Sequence, residues 1–339
     1  MAHTEYLGRT NIIIKKLLHT GDMKLMEAYR IAVEAGIKND PRPKGDIERI
    51  LKDMKESYDK LDNDKKEFFD LERLWNPYAD TRLSFGDPET EVKKFIWGID
   101  IGTGEMVLVD RLNEKGMNIS AVVGHHPLGL AKVPFPEVMS MQSDMYHAAG
   151  VPINIAEGLM DKRIDVVHRA VMPSNYNQTV DAARLLNIPL MNIHTPADNM
   201  VQKFLEKMFE KENPKYIGDI IDLFMTIPEY KEASKQNSPP EIIAGKKKGR
   251  AGKIIFKMTG GTSGPKEIYE KMAQAGVGTA VGMHFPEDHI EEAKKHNINV
   301  VVAGHMASDS LGINLIADLW EKKGVGTMPF SGLIRISRN

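Results

Sequence analysis

Cysteine is absent from the 339 residues. That excludes disulfides, thiolate metal ligands and cysteine nucleophiles together, so any metal must be held by His, Asp and Glu. Long apolar runs are missing as well, and none approaches the ~20 residues that a membrane-spanning helix needs. The opening Met1-Ala2-His3-Thr4-Glu5-Tyr6 lacks the charged start and apolar core of a secretory leader. The expectation is a cytoplasmic protein with no membrane partner. Neither sign of charge dominates, the formal net charge being -2 at pH 7, so no whole-molecule field favours nucleic acid or anionic lipid. The short basic run Lys246-Lys247-Lys248-Gly249-Arg250 reads as a solvated loop. What is present, 42% hydrophobic and 27% charged residues, is an ordinary globular composition with material for a sizeable core.

Residues 1–75 read as a self-contained helical extension. Leu25, Ala28, Tyr29, Ala32 and Val33 return at helical spacing before the stop at Gly36. After Pro41-Arg42-Pro43, the positions Ile47, Ile50, Leu51, Met54, Tyr58 and Leu61 recur three or four apart among Lys, Asp and Glu. That is a surface helix with one buried stripe, suited to structural packing or oligomer contact.

Beyond Trp75-Asn76-Pro77 the texture changes to alternating strands and helices. Strands are expected at 95–101 and 119–124 around a helix at 105–115, a βαβ unit whose strands lie parallel. Helices follow at 136–150 and 178–186, then a strand at 189–194. Residues 199–236 are helical in pattern, broken at Pro214 and Pro228, and 237–252 reads as a linker. A second block has strands at 253–258, 279–282 and 299–304, helices at 265–275 and 286–296, and a further helix opened by Ser308 or Asp309. The close, 333–337, is strand-like. The expected fold class is therefore α/β with a first half at 76–200, a helical insert and linker at 201–250, and a second half at 251–339.

Three motifs carry chemistry, and each directly follows an expected strand: His125-His126-Pro127, His194-Thr195-Pro196-Ala197-Asp198, and His305-Met306-Ala307-Ser308-Asp309. Taken singly, each has an ordinary explanation as a loop hydrogen bond or a helix cap, since Thr195, Asp198 and Ser308 all cap well. Functional groups of open α/β sheets gather beyond the carboxyl ends of the strands, so the three can converge. Imidazole with carboxylate suits Zn, Mn, Fe or Co, whereas Mg and Ca prefer all-oxygen sets. Two such ions need bridging carboxylates, with Asp198 and Asp309 the natural bridges, and paired ions of this kind serve to make water a nucleophile at neutral pH. A glycine-rich segment, Gly260-Gly261-Thr262-Ser263-Gly264, precedes a helix. It reads as a tight turn, or as a cradle for an anion, without the lysine and spacing of a P-loop.

The order Gly86 to Phe95, then Asp100, Gly124-His125-His126-Pro127, His194 with Asp198, and Gly304-His305 with Asp309 resembles the NGG-one-interacting-factor-three-like family, dinuclear-metal-centre proteins often labelled GTP cyclohydrolase I type 2. The resemblance covers roughly 76–200 and 251–339 and omits the N-terminal helices. It implies two halves with mixed sheets around a dinuclear metal cleft, and a hexameric homo-oligomer. It also implies metal binding by His125, His126, Asp198, His305 and the acidic residue at 309, with His194 either a ligand or a partner orienting one. The family pattern has Glu where this chain has Asp309, about 1.5 Å shorter in reach, so direct ligation requires the helix start to sit closer. His284 and His289 fall in a segment where the family carries acidic and histidine residues; they are candidates for the site wall or for proton transfer, the alternative being a surface position. The expected function is metal-dependent hydrolysis of a small-molecule substrate, either a phosphoester or a nucleotide-like cyclic amide. A non-catalytic metal-binding assembly protein is the competing expectation.

Overall fold

The computed structural model describes residues 23–339. Residues 1–22, the start of the expected N-terminal extension, lie outside the described residues. Strand β1 (Met23–Lys24) leads into helices α1 (Leu25–Lys38) and α2 (Lys44–Asp59). The first sheet and its helices follow as β2 (Arg82–Phe85), β3 (Glu91–Val92), β4 (Lys94–Gly98), α3 (Thr103–Glu114), β5 (Ala121–Gly124), α4 (Met141–Ala148), α5 (Ile153–Val171), α6 (Gln178–Leu186), β6 (Leu190–Asn192) and α7 (Thr195–Glu212). The remainder is α8 (Ile217–Phe224), α9 (Pro228–Lys235), β7 (Glu241–Ala244), β8 (Lys253–Lys257), α10 (Ile268–Gln274), β9 (Val277–Gly282), α11 (Glu287–Lys295), β10 (Asn299–Val302), α12 (His305–Glu321) and β11 (Gly326–Pro329).

Two mixed sheets result, as the α/β expectation requires. The five-stranded sheet has the order β11-β4-β5-β6-β2 and the four-stranded sheet β7-β10-β9-β8. In each, the inner strands are parallel and one edge strand, β2 or β7, runs antiparallel. The parallel strands are short apolar runs buried on both faces, as in Ala121-Val122-Val123 and Ala280-Val281. Among the described residues no helix is long and apolar enough to cross a membrane.

Three expectations need correction. The segment 237–252 is not only a linker, because Glu241–Ala244 pairs with β10; its two isoleucines are too few for a periodic signal. The closing strand is Gly326–Pro329 beside β4, not 333–337. Gly332 at φ +87° turns the chain away from the sheet, and Arg335 then binds Asp318 and Glu321 on α12. Nor are the N-terminal helices self-contained. Leu25, Ala28, Tyr29, Ala32 and Val33 of α1 are buried in the first sheet's core, and the Trp320 indole donates to the Ala28 carbonyl at 2.9 Å. On α2, by contrast, Ile47 is the buried residue.

The two halves exchange helices. Helix α7 leaves the first sheet and buries Val201, Leu205 and Phe209 in the core of the second. Helix α12 leaves the second sheet and buries Ile313, Ile316, Ala317 and Trp320 in the core of the first, where Trp320 stacks on Trp97 with ring centroids 4.8 Å apart. Each large apolar side chain so buried stabilises by roughly 1.5–3 kcal/mol, and the exchange spreads that stabilisation across both halves. The helices touch at Gly312, where a Cβ would stand 2.2 Å from the Ala197 carbonyl oxygen. Only glycine permits this approach.

Candidate metal centre

The parallel strands of each sheet end level with one another. Gly98, Gly124 and Asn192 are successive register partners across β4, β5 and β6. Two residues beyond Gly98 lies Asp100, directly after Gly124 come His125 and His126, and two beyond Asn192 lies His194. Antiparallel β2 begins at the same edge, since Arg82 pairs with Asn192, which puts Asp80 there as well. In the second sheet, Lys257, Gly282 and Val302 are register partners, followed by His284 and His305. Gly304, at φ +105°, makes the sharp turn from β10 into α12 that a side-chain-bearing residue rarely adopts. Helix α12 therefore opens at His305, one turn earlier than expected, and carries Asp309 inward one turn further on. Helix α7 presents Asp198 on its first turn.

The histidines are held from behind and aimed inward. His125 Nδ1 lies 3.0 Å from the Ile193 carbonyl oxygen; a carbonyl only accepts, so Nδ1 carries the proton and Nε2 is left with its lone pair. His126 Nδ1 is 2.6 Å from Asp100 Oδ1, and His194 Nδ1 is 2.7 Å from Asp80 Oδ2. Asp80 is itself fixed by the Thr195 hydroxyl at 2.6 Å. The Nε2 atoms then converge on two carboxylates. His125 Nε2 stands 3.4 Å from Asp198 Oδ1 and 3.5 Å from Asp309 Oδ1. His194 Nε2 is 3.7 Å from Asp198 Oδ2. Asp309 Oδ2 faces His126 Nε2 at 3.7 Å and His305 Nε2 at 3.5 Å. With α12 opening at His305, Asp309 stands within 3.7 Å of three histidine nitrogens.

Four of these atoms are buried without a hydrogen-bond partner among the described residues: His125 Nε2, Asp198 Oδ1 and both oxygens of Asp309. Leaving buried polar atoms unmatched costs about 1–3 kcal/mol each. Four clustered together fit a bound cation, which would satisfy all of them. Three overlapping sets have ligand atoms within 4.8 Å of one another: His125/His126/His194, His126/His305/Asp309 and His125/Asp198/Asp309. The closeness of these groups shows in their acidity. Burial raises the Asp309 carboxyl, but His125 and the other histidines more than offset it and hold its pKa below the ordinary value. Burial lowers His125, yet Asp309 and Asp198 bring it well above the usual histidine value. His126 is lowered by burial and by His125 and His194. An imidazole-carboxylate set of this composition suits Zn, Mn, Fe or Co.

The cluster opens onto a cavity of about 400 Å³ whose lining includes His126, His194, Asp198, His284, His305 and Asp309. His284 stacks on His305 with centroids 5.0 Å apart. His289 is not brought to this cavity: it is buried against the Tyr269 ring, and burial with the nearby Lys257 charge lowers its pKa to about 4. Asp80 escaped the sequence reading because it precedes an unrecognised strand and belongs to no histidine motif. Asp100 stood within a quoted motif, but its role as the partner of His126 needs the fold. The run Lys246 to Arg250 lies between β7 and β8 with its lysines exposed.

No protein-family model and no curated protein matches the chain. Solved structures do. The NIF3 superfamily protein from Sphaerobacter thermophilus is similar over 93% of this chain and 100% of its own, at 25% identity and a TM-score of 0.68. Looser likenesses are reduced HcgD from Methanocaldococcus jannaschii, at 12% identity over 73% of this chain and 87% of that one with a TM-score of 0.46, and a Bacillus cereus protein related to NIF3, at 10% over 74% and 91% with 0.39. The motif order in the sequence and the end-to-end likeness to the Sphaerobacter protein agree, and both make the chain similar to the NIF3 superfamily in fold.

Proposed function

We propose that the cluster holds two divalent ions and that the protein is a metal-dependent hydrolase acting on a small phosphoester or nucleotide-like cyclic amide. The observation that carries this reading is Asp309: both oxygens are buried and unpartnered, one turned to His125 and the other to His126 and His305. That is the posture of a bridging carboxylate. Asp198 divides its oxygens likewise between His125 and His194. Divalent ions held there would supply Lewis-acid activation of water at neutral pH and stabilise negative charge developing on the substrate.

The protein's own groups do the rest. His125 and His194 hold fixed orientations through Ile193 and Asp80, which keeps their Nε2 lone pairs on the site. His284, stacked on His305 in the cavity wall, is placed to exchange a proton with a reacting group. The cavity is within the size range of small-molecule sites. The test combines metal analysis with turnover of phosphoesters and cyclic amides. Two ions per chain and activity lost in Asp198→Ala are expected. Full activity after complete metal removal would sink the proposal, and two bound ions with no turnover across both classes would make the protein a non-catalytic metal binder.

A further inference from the structure

Lys257 ends β8 level with Gly282 and Val302, so the same sheet edge that delivers His284 and His305 also delivers an ammonium group to the cavity. Its surroundings are apolar and aromatic. Nζ lies over the rings of Tyr269 at 5.3 Å, Tyr146 at 5.7 Å and Phe285 at 5.8 Å. No carboxylate among the described residues pairs with it, and burial is the cause that lowers its pKa to about 8. Cation–π contacts return about 2 kcal/mol or somewhat more in desolvated settings, whereas burying an unpaired charge costs several times that unless a counter-charge or water meets it. Among the described residues that counter-charge is missing, although the cavity is open to a ligand.

The adjoining loop is arranged compatibly. Gly260 and Gly261 take φ of +95° and +78°, and three of the loop's carbonyls are already engaged as acceptors. Gln142 Nε2 donates to the Gly260 and Thr262 carbonyls at 2.6 and 2.7 Å, and Arg163 Nε donates to the Ser263 carbonyl at 2.9 Å. Those three carbonyl oxygens are thereby occupied by donors. Thr262 and Ser263 contribute two hydroxyl-bearing residues to the lining beside Lys257.

We propose that Lys257 and the Gly261–Ser263 segment form an anion subsite for the phosphoryl group of a small phosphorylated ligand, whose other end faces the His/Asp cluster in the same cavity. A phosphoryl group offers a separate oxygen to the ammonium and to each hydroxyl and carries about −1.5 to −2 charge, where a carboxylate has two oxygens and a single charge. The assignment rests on the proposed metal site only for what lies at the ligand's far end.

The experiment is calorimetric titration of the metal-stripped full chain with inorganic phosphate and with phenyl phosphate, removing the metals as a competing phosphate site. Wild-type protein should bind both. Lys257→Met should weaken binding about 10- to 100-fold, the value of one charge-assisted hydrogen bond, and Lys257→Arg should retain most of it. Reloaded Lys257→Met should take up the same amount of metal as wild type, which separates loss of the subsite from loss of the fold. Absence of phosphate binding to the wild type, equal binding by Lys257→Met, or displacement by acetate as effective as by phosphate would each overturn the assignment. Phosphate binding that depends on Lys257 in a protein without turnover would leave the subsite standing while the hydrolase reading fell.

Discussion

Three of the clustered histidines have one ring nitrogen committed to an acceptor behind them: His125 to Ile193, His126 to Asp100, His194 to Asp80. The fourth, His305, relies on the helix that carries it and on the stacked His284 ring. This difference has a measurable consequence. Removing the acceptor behind His194 in Asp80→Ala frees the ring to rotate and should weaken metal affinity about 10- to 100-fold, read by competition with a chelating dye. Asp80→Asn, which keeps an acceptor oxygen at the same place, should recover part of the loss. An Asp80→Ala protein with unchanged affinity would mean that His194 is not held as a ligand. At this scale the sequence displayed the donors but not their supports. The histidines and both carboxylates of the cluster stand in short motifs, while Asp80 lies 114 residues from His194 in the chain, a pairing no local pattern announces.

Helix starts and strand ends decide where those side chains point, and here reading from sequence succeeded unevenly. The parallel strands were visible as short apolar runs closed by Gly or His, and they fixed which edge of each sheet carries function. The start of α12 was placed too late, because Ser308 and Asp309 look like caps and nothing local shows that Gly304 adopts φ +105°. The short edge strand β7 and the true closing strand β11 were missed for a related reason: their pairing partners, β10 and β4, make them strands more than their own composition does. The crossing of α7 and α12 was equally hidden, since it depends on one glycine meeting one carbonyl. Gly312→Ala tests its importance. The added methyl, 2.2 Å from Ala197 O, must push the helices apart and should destabilise the fold by about 1–3 kcal/mol. Because Asp198 and Asp309 lie on the same two helices, metal uptake should fall with it. Thermal denaturation and metal analysis of the one variant check both, and a stable Gly312→Ala protein with full metal content would show that the close approach is not needed.

At the scale of the whole chain, the exchanged helices place one carboxylate of the cluster on each side of the junction between the halves. Asp198 belongs to the helix leaving the first sheet, Asp309 to the helix leaving the second, and His125 stands between them. A cation bound there ties the halves together at the point where four unmatched polar atoms otherwise weigh against folding. Metal should therefore act as a stabilising ligand of the entire fold. Loading at about 1,000 times the dissociation constant should add about 4 kcal/mol of unfolding free energy, seen as one cooperative transition moving to higher temperature and reversed by chelation. Two separate transitions, with only one responding to metal, would indicate that the halves unfold independently. The Trp97–Trp320 stack gives the same junction an optical gauge. The chain has three tryptophans, and these two indoles lie nearly face to face, one on β4 and the other on the helix that carries Asp309. Their electronic transitions couple, so a small slide of α12 along the first sheet alters the near-ultraviolet dichroism of the pair, and the position of the carboxylate-bearing helix can be followed in the unlabelled protein.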